Sequence, residues 1–304
     1  MELRDADLAV RTRDLTKSFG KCTVVDGLDL AIPRGGVYGF LGPNGSGKST
    51  TMKMLLGLLH PSAGQIFLLG EDPWGEARAR LMPRIGSMIE HPPGYGHLTG
   101  AENMRLLARL LNLETTRIDR ALELVRLTDH RDRLQRTYSL GMKQRLGIAM
   151  ALAREPELLI LDEPTNGLDP AGIEEIRELM IHLASGGVTV MISSHLLDEI
   201  DRMADILGVL SQGQLVFQGS RKELFERSIP DLLVVTPQAN AAANLVRGCR
   251  LERNGIRVQG CGQEDAARLI VRLVQEGIPI HEVRRLQQSL EEVFMDLTGG
   301  AEAL

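Results

Sequence analysis

Residues 42–50 read Gly42, Pro43, Asn44, Gly45, Ser46, Gly47, Lys48, Ser49 and Thr50, which fits the pattern G-x-x-x-x-G-K-[ST]. No other segment restricts the fold as much, because this pattern works only between a strand and a helix. Its glycines permit left-handed turns and close approach of an anion. The curled backbone turns N–H groups inward, making a nest for phosphate oxygens. Lys48 is a point charge able to reach β- and γ-phosphates, and the Ser49 hydroxyl suits Mg²⁺. The flanks agree with the pattern. Residues 36–41 are short, apolar and aromatic, as in a buried strand, and Met52, Leu55, Leu56 and Leu59 recur at helical spacing over 50–59. A helix N-terminus at this point adds a favourable dipole for phosphate.

A chain of 304 residues with 43% apolar and 25% charged residues can bury a real core in one large or two ordinary domains. Its formal charge of −5 gives no electrostatic case for a nucleic-acid partner. Cys22, Cys249 and Cys261 are odd in number and lack metal spacing, so a reducing compartment is expected rather than a disulfide framework. The charged N-terminal residues lack an apolar h-region, so no signal peptide is expected. No apolar run of about 18 residues occurs, so the chain is not expected to cross a membrane by itself.

Strand-like alternation marks residues 8–13, 23–25, 28–32 and 65–69, and 85–90 is a short apolar strand ending on Glu90. Thr99-Gly-Ala-Glu102 is a capping box, followed by amphipathic segments near 101–111 and 116–127 and a third after Ser139. This helical stretch, about 91–155, interrupts an α/β pattern as an inserted subdomain. Leu158–Asp162, apolar up to its terminal acid, and Val188–Ile192, apolar but for Thr189, read as strands of a parallel sheet covered on both faces. A final hairpin over 206–217 turns at Gln212-Gly213. The chain then starts again: a strand at 232–235, a helix at 239–246, a hairpin at 250–258 turning at Asn254-Gly255, a helix at 264–276 and a strand at 279–284. Ser289-Leu-Glu-Glu292 is a capping box for a last helix. This β-α-β-β-α-β order resembles a ferredoxin-like unit, without a catalytic constellation, and reads as an accessory packing or dimerising domain. The expected division is 1–228 and 229–304.

Two further groups carry chemistry. Asp162 ends an apolar strand, where an acid can approach the Mg²⁺ of a bound nucleotide, and the adjacent Glu163 can orient or deprotonate an attacking water. Ser139 opens a helix, offering a hydroxyl, free N–H groups and a positive dipole end, which makes a second anion site remote from the first in sequence. A plain helix cap is the alternative use of such a serine.

Taken together, these residues resemble the ATP-binding cassette family, over roughly residues 8–220 and through six motifs in family order. The motifs are Walker A at Gly42–Thr50, the Q-loop position at Glu90, and the signature at Ser139-Leu-Gly141 with Lys143-Gln-Arg145. After them come Walker B at Leu158–Asp162 with Glu163, the D-loop at Asn166-Gly-Leu-Asp169, and the switch histidine His195. The resemblance implies an α/β fold: a P-loop ABC ATPase cassette of mixed sheet, helices and inserted helical subdomain, with a small α+β C-terminal domain. It also implies ATP and Mg²⁺, with Ser49, Asp162 and Glu90 towards the metal, and catalysis by Glu163, His195 and Lys48. It implies a head-to-tail dimer, of identical or related cassettes, in which Ser139 and Gly141 contact the γ-phosphate held by the partner's Walker A, with Asp169 nearby. Phe19 resembles the aromatic that stacks on adenine, and a place in the core is the competing reading.

Two positions depart from the family pattern. The signature, usually Leu-Ser-Gly-Gly-Gln, is Tyr-Ser-Leu-Gly-Met here, and Glu90 replaces the Q-loop glutamine. A carboxylate beside the γ-phosphate repels it unless Mg²⁺ lies between, so Glu90 is expected at the metal or its water network. The same departures, with Glu291–Gly299 near the C-terminus, resemble the bacitracin-resistance and lantibiotic-immunity branch of drug exporters. The expected function is therefore the ATP-hydrolysing subunit of a bacterial exporter, cytoplasmic and peripheral on the inner membrane face. It would work with separate transmembrane permease subunits docked around residues 86–110. The alternative is a soluble ABC-type ATPase or an ATP-dependent regulatory module not coupled to transport.

Overall fold

The computed structural model describes residues 4–195, 197–246, 248–286 and 290–297. The chain divides between Ser220 and Arg221 into two compact units. The sequence expectation set this boundary after residue 228; the helix Arg221–Arg227 belongs with the second unit.

The first unit begins with β1 (Leu8–Phe19), β2 (Cys22–Leu28), β3 (Ala31–Pro33), β4 (Val37–Leu41), α1 (Lys48–Leu55) and β5 (Ala63–Leu68). Next come α2 (Arg78–Leu81), β6 (Ile85–Met88), α3 (Gly100–Leu111), α4 (Thr115–Leu124) and α5 (Leu140–Leu152). It closes with β7 (Leu158–Asp162), α6 (Pro170–Ser185), β8 (Thr189–Ser194), α7 (Leu197–Asp201), β9 (Ile206–Ser211) and β10 (Gln214–Ser220). An antiparallel sheet joins β1 to β2, β3 and β5. A second sheet runs β10-β9-β4-β8-β7-β6, parallel except for the β9–β10 hairpin. The mixed sheets, together with the helical stretch α3–α5 between β6 and β7, match the cassette expected from the sequence.

The central strands are apolar because both faces are covered. Leu158, Leu159, Ile160 and Leu161 are all fully buried. Helix α1 stops four residues short of its apolar pattern, because Leu56 caps it and Gly57 turns left-handed at φ +65°. The capping box of α3 is formed: Glu102 N–H donates to Thr99 Oγ1 at 3.1 Å and Thr99 N–H to Glu102 Oε2 at 2.7 Å. Strand β8 runs two residues beyond its apolar run, to Ser194, and this extension bears on the site. Among the described residues no helix is long and apolar enough to cross a membrane.

The second unit comprises α8 (Arg221–Arg227), β11 (Asp231–Val235), α9 (Ala239–Leu245), β12 (Arg250–Glu252), β13 (Gly255–Val258), α10 (Gln263–Gln275), β14 (Glu282–Leu286) and α11 (Leu290–Leu297). Its sheet runs β12-β13-β11-β14, antiparallel throughout. Leu232, Val234 and Ile256 pack on Ala242, Ala266 and Leu273 of the helices. Gly255, expected in the hairpin turn, lies instead in β13. The turn is Arg253-Asn254, and a Cβ at Gly255 would meet the Val234 carbonyl oxygen at 1.9 Å. Glycine is required there for strand-to-strand approach rather than for turn geometry. The capping serine expected at Ser289 lies outside the described residues.

Asp231 is fully buried and holds Arg257 at 2.6 Å and the Gly260 N–H at 2.9 Å. Removing one partner of such a pair strands the other, so Asp231→Ala is expected to destabilise the second unit by about 3 kcal/mol. Hydrogen exchange of the β11 and β13 amides in the full chain measures this, and unchanged protection would contradict it.

Candidate active site

The parallel register sets the site. Leu41 pairs with Ser194, and Asp162 with Ser193, so the C-terminal ends of β4, β8 and β7 lie side by side. Ligands of such sheets collect at that edge.

After β4 the chain enters the glycine loop. Gly45 and Gly47 take φ of +80° and +107°, conformations that L side chains rarely adopt. A Cβ at Gly42 would meet the Leu210 carbonyl oxygen at 2.4 Å and Ser46 Oγ at 2.5 Å. The turn Gln212-Gly213 braces the loop from outside, with Gly213 N–H donating to the Ser46 carbonyl at 3.0 Å. Lys48 is buried, and its Nζ donates to the carbonyls of Gly42 at 2.6 Å and Pro43 at 3.2 Å. Burial pushes the Lys48 ammonium below its ordinary value, and the fields of Glu163 and Asp162 oppose that shift.

The loop fits a phosphate. Ser46 Oγ is buried without a hydrogen-bond partner, and α1 starts at Gly47 with no side chain capping its first N–H groups. Mg²⁺ also fits the donors at hand, the Ser49 hydroxyl and the Asp162 carboxylate. Among the described residues no cluster of three or more acids, histidines or cysteines forms a metal cage. That suits an ion which takes one or two protein oxygens and completes its shell with water and substrate phosphates.

Asp162 ends β7 buried, and accepts a hydrogen bond from Ser193 Oγ. Ser193 in turn accepts from the Glu163 N–H at 3.0 Å. Glu163 stands at φ +47° before Pro164, a neighbour that disfavours the right-handed helical conformation. Its Oε2 lies 3.0 Å from His195 Nδ1 and accepts from Asn166 Nδ2 at 3.3 Å. The structure thus brings Lys48, the adjacent pair Asp162 and Glu163, and His195 together from three separate segments. Ser193 is the member that sequence reasoning missed; the serine in the motif before His195 was its only signal.

Glu90 stands at φ +65°, and its carboxylate is held by Lys53 Nζ from α1. The Lys53 hydrogen bond holds the Glu90 carboxyl below the usual carboxylate range, so it stays charged and salt-bridged. Phe19 is 51% exposed, with Lys17 Nζ 5.0 Å from its ring centre, which overturns its reading as core and leaves a free aromatic face.

The signature serine caps α5, Ser139 Oγ accepting from the Met142 N–H at 3.2 Å. Asp169 caps α6 in the same way through the Gly172 N–H at 3.3 Å. Ser139, Gly141 and Asp169 line one open hollow of about 430 Å³. Tyr138, standing where the family has leucine, donates from its hydroxyl to the His130 carbonyl at 2.8 Å. A Cβ at Gly100 would meet that hydroxyl at 2.3 Å, so the tyrosine requires a glycine at position 100.

A phosphate loop beside two strand-end acids and a histidine, with a separate serine-capped hollow, defines a P-loop ATP-binding cassette. Residues 25–166 match the family described as ABC transporter. The chain is 38% identical over 302 residues to the bacitracin transport ATP-binding protein BcrA of Enterococcus faecalis, covering 97% of each. It is 43% identical over 226 residues to the lantibiotic transport ATP-binding protein SrtF of Streptococcus pyogenes, covering 72% of this chain and 97% of that one. Among solved structures, cbiO1 from Clostridium perfringens, part of the ABC transporter complex cbiONQ, matches at a TM-score of 0.67 and 30% identity, covering 73% of this chain and 92% of that one. The chain belongs to the ABC transporter family, as one of its ATP-binding proteins. Such cassettes bind ATP, are ATPases coupled to transport, and work as a dimer of cassettes with transmembrane permease subunits.

The Lys53–Glu90 pair makes a charge-specific prediction. Lys53→Met leaves the Glu90 carboxylate without its cation and is expected to raise KM for ATP about fivefold. Adding Glu90→Gln should return KM to near wild type, since an amide needs no cation. Steady-state ATPase assays of the single and double variants check this, and a double variant as impaired as Lys53→Met would refute the pairing.

Proposed function

We propose that this chain is the ATP-hydrolysing subunit of a bacterial exporter whose cargo is a peptide antibiotic or similar drug. Support for the cargo class comes from relatives named for bacitracin and lantibiotic transport, one of them aligned along 97% of this chain. That coverage also favours transport over a free-standing regulatory ATPase. The cassettes would pair head to tail on the cytoplasmic face of the membrane, as a homodimer or with a related cassette. Tyr95, Leu106 and Leu110 are exposed and support permease docking around residues 86–110.

One observation carries the enzymatic reading: the Glu163 carboxylate, 3.0 Å from His195 Nδ1, stands at the end of the strand that bears Asp162. In the proposed mechanism the loop N–H groups and Lys48 hold the β- and γ-phosphates. Phe19 offers its free face to adenine. Glu163 orients a water for attack on the γ-phosphorus and accepts its proton, while His195 fixes the carboxylate and reaches the γ-phosphate. Ser49 and Asp162 would hold Mg²⁺, which when bound neutralises charge developing on the phosphate oxygens. Ser139 and Gly141 of the partner cassette would close the site, with Asp169 at the same edge. In this scheme Glu90, tied to Lys53, acts outside the metal shell.

The antiparallel order β12-β13-β11-β14 with two crossover helices supports a ferredoxin-like reading of the second unit. SrtF aligns along 97% of its own length with only 72% of this chain, so part of this chain has no counterpart in that relative. This supports an accessory packing or dimerising role rather than part of the core ATPase.

Glu163→Gln keeps the size and the His195 contact but removes the base. ATPase kcat is expected to fall about a hundredfold or more with ATP binding retained. In cells carrying the cognate permease, bacitracin resistance should fall with it. Full turnover by Glu163→Gln would overturn the enzymatic reading.

A further inference from the structure

We propose that Ser193 is a positioning residue for hydrolysis, one hydroxyl that sets both strand-end acids. The inference rests on the reading of Glu163 as the group that orients the attacking water. Ser193 is fully buried and occupies the register position on β8 facing Asp162 on β7. A hydroxyl has one proton to give and lone pairs to receive. The Glu163 N–H can only donate, so Ser193 Oγ accepts there. The proton of Ser193 is then committed to the Asp162 carboxylate. Both directions follow from the chemistry of the partners.

This arrangement matters because of where Glu163 sits. At φ +47°, ahead of Pro164, its backbone lies in the left-handed region, which persists only when its surroundings hold it. The serine holds the Asp162 carboxylate and the Glu163 peptide N–H at once. It thereby fixes the direction in which the Glu163 side chain leaves the backbone towards His195 and Asn166. Without the hydroxyl, the Glu163 N–H loses its acceptor and Asp162 a donor, which loosens the peptide that carries Glu163. On β8 the preceding Ile192 is apolar, and both it and the following Ser194 project to the opposite face of the sheet from Ser193, so neither neighbour replaces the bond. An ordinary satisfied buried serine would contribute only stability. Contact with both acids at once predicts an effect on turnover instead.

The test compares Ser193→Ala, Ser193→Thr and Glu163→Gln in the full chain. It measures steady-state ATPase, titration with a fluorescent ATP analogue with and without Mg²⁺, and thermal unfolding. For Ser193→Ala, kcat per folded molecule should fall about ten- to a hundredfold, as loss of groups behind a catalytic shell does. Affinity for the analogue should change by less than about threefold. Ser193→Thr, which keeps the hydroxyl, should recover more than about half of the lost activity. The inference is overturned if Ser193→Ala turns over within about twofold of wild type when corrected for folded protein, even if its melting point drops. It is also overturned if threonine is no better than alanine, or if analogue affinity falls in step with kcat. An inactive Glu163→Gln beside an active Ser193→Ala removes only this inference. An active Glu163→Gln removes the catalytic reading beneath it.

Discussion

The parallel pairing of β4, β8 and β7 is the constraint on which the molecule depends. Leu41 stands beside Ser194, and Ser193 beside Asp162, so three strands end together. Each is then followed by a different chemical group: the glycine loop, a histidine and an acid pair. A slip of one residue between β7 and β8 would turn Ser193 away from Asp162, because successive strand side chains face opposite ways. The apolar interior of these strands fixes the register and hence the polar contacts at their ends. Catalytic geometry here is inherited from core packing.

Legibility in the sequence followed locality. The loop, the capping boxes and the fully apolar strands were readable because the residues that interact are neighbours or lie at fixed spacing. The helical stretch between β6 and β7 was readable through its change of period. Ser193 was not, because its meaning comes from Asp162, 31 positions away, across a strand pair that only the fold creates. Lys53 was likewise silent: on a helix it is an unremarked cation until α1 brings it to Glu90.

Local signal misled at one position and left another open. Asn254-Gly255 carries the strongest short hairpin signal, yet the glycine sits in β13 because Val234 leaves no room for a Cβ. Phe19 was open between core and surface because aromatic residues serve both, and only packing decides. Tyr138 shows the opposite case. A substitution that looks like a defect in the signature is matched by Gly100 and satisfied by His130, so the local structure absorbs it.

The hydrogen bonds from Lys48 to its own loop have a consequence for how nucleotide is taken up. The carbonyls of Gly42 and Pro43 already occupy the ammonium, and Gly213 holds the far side of the loop. The cradle therefore keeps its shape through internal contacts, and an arriving phosphate finds it ready. Binding becomes a change of partners for one side chain rather than the ordering of a floppy segment, so little affinity is lost to chain entropy. The same reserve of partners operates in reverse when phosphate departs. A motor that must load and discharge at every stroke can thus be both tight and quick, because neither step requires its grip to be rebuilt.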